Sequence, residues 1–212
     1  MRAVPIVLVS SALVSAALAI IFERKSRRLL FVVFKPLTTF LIVLAALAAP
    51  APVPPAYKLF ILAGLVCSLA GDVALLFPER GFVPGLAAFL AAQILYILAF
   101  KPASGRPAFV GLLLPFLIYG LLMFRILAPR LGALRLPVFV YVSAISVMAW
   151  LAAARFVDAG GLKPLLACAG AILFLISDSI LAFDRFGKRI GPAQALILGT
   201  YFPAQVLIAL SI

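Results

Sequence analysis

An uncharged run of 20 residues occupies positions 3–22, AVPIVLVSSALVSAALAIIF, and ERKSRR follows it at positions 23–28. A helix of about 20 apolar residues is long enough to cross a bilayer, and a basic cluster after it is typical of a stop-transfer flank. The apolar region of a signal peptide is shorter, about 7–15 residues. We therefore predict a transmembrane helix here rather than a cleaved leader.

The rest of the 212-residue chain has the same character as this run. Hydrophobic residues make up 67% of it, charged residues make up 11%, and its mean hydropathy is +1.29. A water-soluble protein of this size could not bury so much apolar surface. A disordered chain would be far more polar, and a disulfide-stapled chain would contain more cysteine. The composition predicts an integral membrane protein.

Eight apolar segments are separated by charged or Pro- and Gly-rich joints, and each is close to the length that a membrane-spanning helix needs. They lie at 4–22, 29–49, 57–77, 82–100, 107–127, 136–156, 163–183 and 191–211. Strands of a membrane β-barrel would be about half as long and would alternate in polarity. The predicted fold class is all-α, a polytopic membrane protein with eight transmembrane helices in a single domain, 1–212.

Basic residues are divided unequally between the two ends of these helices. Eight spans place both termini on one side, which carries six of the 18 basic residues, whereas the other side carries eleven and Lys35 lies within a span. Since cytoplasmic joints carry the excess of Lys and Arg, we predict non-cytoplasmic termini, in a cell (inner) membrane of the bacterial type. The net charge of +12 is then a topology signal, and we expect no nucleic-acid partner.

A shift of 106 residues, half of the chain, places Asp72 on Asp178. It also places Gly64, Gly81 and Gly85 on Gly170, Gly187 and Gly191. The match of the aspartates carries weight because the chain has only six acidic residues. Two interpretations stay open: a parallel repeat of two four-helix halves, 1–106 and 107–212, or a chance alignment in an apolar sequence.

Three charged residues lie deep inside the predicted spans, at least five residues from either end. Lys35 is six residues from the start of its span, and Asp72 and Asp178 are each five residues from the end of theirs. At about 1.5 Å per residue all three lie about 7–9 Å below one surface, which predicts a single polar pocket. One lysine balances only one carboxylate, so the other is expected to keep its proton, and an acid and a base result. We predict Asp72 and Asp178 as catalytic residues; the alternative is a purely structural ion pair.

Other polar side chains are placed to join this pocket. Gln93 and Tyr96 share a helix face with Phe89, although such residues often serve only to link helices. Tyr141 has the position of an interfacial aromatic residue, and Glu79 and Asp184 that of interfacial charges. The candidate substrate-binding residues are Lys35, Gln93, Tyr96, Tyr141, Tyr201, Gln205 and Asp184.

The residue types that are missing exclude several chemistries. The sequence has no histidine, and its two cysteines lie apart, at Cys67 and Cys168. A zinc site with His or thiolate ligands and a His-activated Ser or Cys nucleophile are therefore excluded. No Gly-rich phosphate loop follows a strand. We expect no cofactor, and a divalent cation between Asp72 and Asp178 is the only metal arrangement left open.

Four motifs in this order resemble the signatures of the YhhN-type lysoplasmalogenase family. They are FKPLT at 34–38, LAGDVALL at 69–76, Phe89 through Gln93 to Tyr96, and Leu173-Phe174 through Ser177-Asp178, with Tyr201 and Gln205 fitting the last span. The resemblance implies an eight-helix membrane enzyme that hydrolyses the vinyl ether bond of a lysoplasmalogen. The products would be a fatty aldehyde and glycerophosphoethanolamine or glycerophosphocholine.

The chemistry implied by the resemblance suits two carboxyl groups, because vinyl ether hydrolysis passes through an oxocarbenium ion, as glycoside hydrolysis does. One of Asp72 and Asp178 would donate the proton, and the other would stabilise the cation and activate water. Lys35 would hold the phosphate or fix the ionised aspartate. The partners would be a lysophospholipid and the bilayer; the sequence indicates no oligomeric state. The alternatives are a small-molecule or ion transporter with an intramembrane Lys/Asp site and a non-catalytic lipid-binding protein.

Overall fold

The computed structural model describes residues 3–50, 52–77, 79–101 and 110–212, and these form eight long helices joined by short connections. The helices are α1 (Ala3–Arg24), α2 (Arg28–Ala48), α3 (Pro55–Ala74), α4 (Phe82–Phe100), α5 (Leu113–Leu127), α6 (Arg135–Ala159), α7 (Leu162–Phe186) and α8 (Ala193–Leu210). Each of the eight, α5 together with its flanking 3-10 turns, is long and apolar enough to cross a membrane. The predicted fold class, an all-helical polytopic membrane protein, is confirmed.

Several helix ends differ from the predicted span ends, among them that of α6, which continues to Ala159 beyond the predicted end at 156. α3 ends at Ala74 rather than at position 77, because the chain tightens into turns before the proline at position 78, which disfavours helix in the residue before it. α7 continues to Phe186, beyond the predicted end at 183. α5 begins at Leu113, after a 3-10 turn, and the predicted start of its span at 107 lies outside the described residues.

Helix α3 and helix α4 pack closely because two glycines of α3 lie opposite two aromatic residues of α4. A Cβ atom added to Gly71 would lie 2.6 Å from the ring of Phe89, and one added to Gly64 would overlap the ring of Tyr96. The two glycines and the two aromatic residues are each seven positions apart, so one ridge of α4 fits one groove of α3. This contact fixes α4 against the helix that carries Asp72.

Three basic side chains bind helix ends on the terminal side of the bundle. Lys58 donates to the carbonyls of Leu47 and Ala49 at the end of α2, and Lys163 donates to Leu210 at the end of α8. Arg155 donates to the carbonyl of Lys101, the residue after α4. Cations at these positions satisfy carbonyls that have no partner within the helix. Arg2 and Arg106, which belong to the same side, lie outside the described residues.

Candidate active site

A cavity of about 170 Å³ lies between α2, α3, α4, α7 and α8, at the end of the bundle opposite the C-terminus. Five charged side chains line it, together with Gln194, Tyr201 and the rings of Phe82 and Phe89. These five are Lys35, Asp72, Asp178, Asp184 and Arg185. The structure thus brings Lys35 and both candidate catalytic aspartates to one cavity, although Asp72 is only two residues from the end of α3 and Asp178 is eight from the end of α7.

Asp72 is held on both of its carboxylate oxygens. The hydroxyls of Thr39 and Tyr201 donate to Oδ2 at 2.6 and 2.7 Å. The Lys35 ammonium lies 3.6 Å from Oδ1, and only 4% of the Lys35 side chain and 1% of that of Asp72 are exposed. A carboxyl group that faces a cation and two hydroxyl donors is stabilised in its ionised form. Lys35 is therefore placed to fix Asp72.

Asp178 has a different set of partners. The Tyr141 hydroxyl and the Gln93 amide both donate to its Oδ2, at 2.6 and 3.2 Å. No hydrogen bond reaches Oδ1 from the described residues, and within the same part of the chain no cation lies within ion-pairing distance of this carboxyl. Asp178 is half-buried, and a partly desolvated carboxyl group without a counter-charge is shifted towards its neutral form. The two aspartates thus have environments that favour opposite protonation states.

Tyr141 does not have the interfacial position that its place in the sequence suggested. Its side chain is buried, because α6 begins at Arg135 and presents this residue to α7 rather than to the surface. Its hydroxyl makes the short bond to Asp178. The interpretation of Tyr141 as an interfacial aromatic residue is wrong, because its side chain is buried beside Asp178.

Four of the candidate binding residues are not part of the cavity wall: Gln93 and Tyr141, which contact Asp178, and Tyr96 and Gln205, which do not. The Tyr96 hydroxyl donates to Gln205 Oε1 at 2.8 Å, and the Gln205 amide donates to Ser68 Oγ at 3.1 Å. All three are fully buried, and none of them is part of the cavity wall. They link α3, α4 and α8 through hydrogen bonds in the interior. Tyr96 and Gln205 therefore support the helices around the site and are not placed to contact a ligand in the cavity.

The outer part of the cavity contains residues that the sequence analysis left out. Arg185 is exposed and lies over the ring of Phe82, with its guanidinium carbon 4.7 Å from the ring centre. Gln194 lines the same region from α8. Asp184 also lines it, but its Oδ1 accepts the backbone N–H of Ile190 at 2.9 Å, which ties the connection before α8 to the end of α7.

Helical spacing could have identified several of these residues. Thr39 is four positions after Lys35, Arg185 is seven after Asp178, and Gln194 is seven before Tyr201, so each lies on the same helix face as a residue already singled out. Glu79, in contrast, is exposed and does not line the cavity. Among the described residues there is no group of three or more His, Cys, Asp or Glu side chains that could hold a metal ion.

The fold and the cavity define a polytopic membrane protein with two unlike carboxyl groups in one intramembrane site. The model of the YhhN family matches residues 30–212, so the chain belongs to this family. It is 37% identical to human lysoplasmalogenase TMEM86B over 73% of this chain and 64% of that protein, and 38% identical to bovine lysoplasmalogenase TMEM86A over 74% and 66%.

A bacterial relative matches over a larger share of its length. The chain is 32% identical to the uncharacterized membrane protein YhhN of Escherichia coli O157:H7 over 85% of this chain and 86% of that protein. It spans about two thirds of the length of the mammalian relatives named above. No solved structure matches this chain.

Proposed function

We propose that this protein is a membrane hydrolase that cleaves the vinyl ether bond of lysoplasmalogens. The observation that carries the proposal is the pair of unlike carboxyl groups in one cavity: Asp72 beside Lys35, and Asp178 without a cation among the described residues. Two mammalian relatives are named lysoplasmalogenases, which supports the same reaction. Nothing in the site or in these relatives favours the transporter alternative.

The different partners of the two aspartates assign their roles within this proposal. Asp178, as the neutral acid, donates its proton from Oδ1 to the alkene carbon that bears the hydrocarbon chain, and an oxocarbenium ion forms at the carbon that bears the oxygen. Asp72, ionised beside Lys35, stabilises this cation and takes a proton from the attacking water. The resulting hemiacetal breaks as Asp72 returns its proton to the departing glycerol oxygen and the hemiacetal hydroxyl reprotonates Asp178.

The experiment that tests the reaction compares two substrates that differ only in one double bond. Purified protein is incubated with a 1-alkenyl lysophospholipid and with its saturated 1-alkyl analogue, and aldehyde is measured by mass spectrometry. We expect cleavage of the vinyl ether alone, since the saturated ether has no carbon that can accept the proton. In deuterated water the aldehyde should gain one deuterium at the carbon next to the carbonyl. Release of aldehyde without that deuterium, or cleavage of neither lipid, would contradict the proposal.

We assign the substrate phosphate to Arg185. Lys35 is buried against Asp72, whereas Arg185 is the exposed cation of the cavity. Replacing Arg185 by Gln should raise KM for a lysoplasmalogen by roughly tenfold, the loss expected for one partly solvated charged contact. The control substrate is a 1-alkenylglycerol, which has no phosphate and whose KM should change little. An equal change for both substrates would place the phosphate elsewhere.

The membrane orientation of the site follows from the charge asymmetry. The end of the bundle that contains the cavity is the end with eleven basic residues, and three of the six on the other end bind helix carbonyls. Both facts support a cytoplasmic cavity and non-cytoplasmic termini in the inner membrane of a bacterial-type cell. A C-terminal alkaline phosphatase fusion expressed in bacteria should therefore be active and a green fluorescent protein fusion dark. The opposite result would reverse the orientation.

A further inference from the structure

Asp178 lies between two cavities. One is the polar cavity described above, and the other lies between α4, α5, α6 and α7. Phe82, Asp178 and Leu181 belong to the walls of both, whereas Tyr141 lines only the second. A ligand that reaches Asp178 from the polar cavity is therefore also in contact with the entrance of the second one.

The wall of the second cavity is almost entirely hydrocarbon. Met123 and Val138 are among the buried side chains that form it. Its hydroxyl groups already have partners: Tyr119 and Ser179 are hydrogen-bonded to each other at 2.6 Å, and Tyr141 donates to the carboxyl at the entrance. Because burying an unpaired polar group is costly, the group that fits this cavity is one without polar atoms. We call it the apolar cavity.

A lysoplasmalogen has a polar part and an apolar part, as the pair of cavities does. Its vinyl ether separates glycerol and phosphate from a long hydrocarbon chain. We infer, on the basis of the proposed function, that the substrate lies across Asp178 with its phosphate towards Arg185 and the first carbons of its alkenyl chain in the apolar cavity. The reversed orientation would place a charged phosphate against hydrocarbon. The apolar cavity thus determines which chain shapes next to the double bond are hydrolysed.

Helix α5 gives the rest of the chain access to the bilayer. Met123 and Leu127 are the buried residues of α5, and most of its other large apolar side chains are exposed. Among the eight described helices, α5 with its flanking turns has the smallest buried share, so a lipid chain that passes it displaces the fewest contacts. The distal carbons of a long chain continue past α5 into the lipid.

The test fills the apolar cavity and compares long with short chains. Ala182, on its wall, is replaced by Phe, and Ala17, an exposed residue of α1 outside this cavity, receives the same change as a matched control. Hydrolysis is measured for 1-alkenyl lysophospholipids whose alkenyl groups have two and sixteen carbons, because the two-carbon vinyl group has no chain that enters the apolar cavity. We expect Ala182→Phe to lose at least about tenfold in kcat/KM for the long chain and to keep the short-chain rate, because shape discrimination in apolar pockets has this size. Ala17→Phe should match the unmodified protein on both.

A second variant decides the matter if Ala182→Phe does not fold. Met123→Ala enlarges the same cavity and should permit hydrolysis of a chain that carries a methyl branch near the double bond, which the unmodified protein hydrolyses slowly. Equal loss on both chain lengths in folded Ala182→Phe, or no gain in Met123→Ala, would overturn the inference. The unmodified protein in the same assay tests the proposed function separately, since failure there is failure to cleave any vinyl ether.

Discussion

Replacing Asp178 by Asn should lower the rate of vinyl ether hydrolysis by about 10²–10⁴-fold, the contribution of a general acid, while the protein keeps its fold. The amide oxygen of Asn can still accept the hydrogen bonds of Tyr141 and Gln93. No cation in the described part of the chain pairs with this carboxyl, so the substitution leaves no buried charge behind. The measurement is kcat for a lysoplasmalogen together with the thermal unfolding midpoint in detergent.

The matched control for this substitution is Glu79→Gln, which makes the same chemical change at an exposed carboxylate near the same end of the bundle. It should leave both kcat and the unfolding midpoint unchanged. A folded Asp178→Asn protein that retains more than about a tenth of the activity would exclude Asp178 as the acid, since that loss is below the range of acid–base catalysis. The proton donor would then have to be Asp72, and the roles of the two aspartates would exchange.

The number and type of helices could be predicted from the sequence because every span has the same two features, its length and its apolar composition. A run of about 20 apolar residues between charged joints has few other stable structures in a bilayer. The exact ends could not be read in this way, as α3 and α7 show. α3 stops before a proline, and α7 continues past two charged residues, Asp184 and Arg185, because both face the cavity rather than mark a membrane boundary.

The charged residues of the site could be found because ionisable side chains are rare and costly inside a membrane. Partners with ordinary side chains carried no such signal. Thr39 and Ser177 resemble the small polar residues found throughout membrane helices. Spacing places Thr39 on the helix face of Lys35, but its hydrogen bond to Asp72 depends on the packing of α2 against α3. Tyr141 was misplaced because aromatic residues near a span end are commonly interfacial, and its burial depends on how α6 packs against α7.

The relation between the two halves stays a prediction, and the site adds one observation to it. The offset of 106 residues that relates Asp72 to Asp178 also relates Lys35 to Tyr141. Each of these two residues contacts the aspartate of its own half, Lys35 through an ion pair and Tyr141 through a hydrogen bond. If the halves are repeats, the difference between a lysine and a tyrosine at equivalent positions is what makes one carboxyl group a base and the other an acid.

Substitutions of Lys35 and Asp72 should distinguish the effect of this ion pair on stability from its effect on hydrolysis. Asp72→Asn leaves a lysine buried without its counter-charge, which costs about 3–5 kcal/mol and lowers the unfolding midpoint by roughly 6–20 °C in a chain of this length. Lys35→Met leaves a buried carboxylate and should destabilise the protein by a similar amount. The activity of Asp72→Asn should also fall by about 10²–10⁴-fold, because the base is lost.

The double variant Lys35→Met with Asp72→Asn removes both charges, so most of the lost stability should return while hydrolysis stays absent. The coupling between the two substitutions is obtained from the four unfolding midpoints, and kcat is measured on the same preparations. A charge-matched control, Lys188→Met with Glu79→Gln, changes two exposed residues and should alter neither quantity. Recovery of hydrolysis in the double variant would mean that Asp72 only balances Lys35, and Asp178 would then be the single carboxyl group of the reaction.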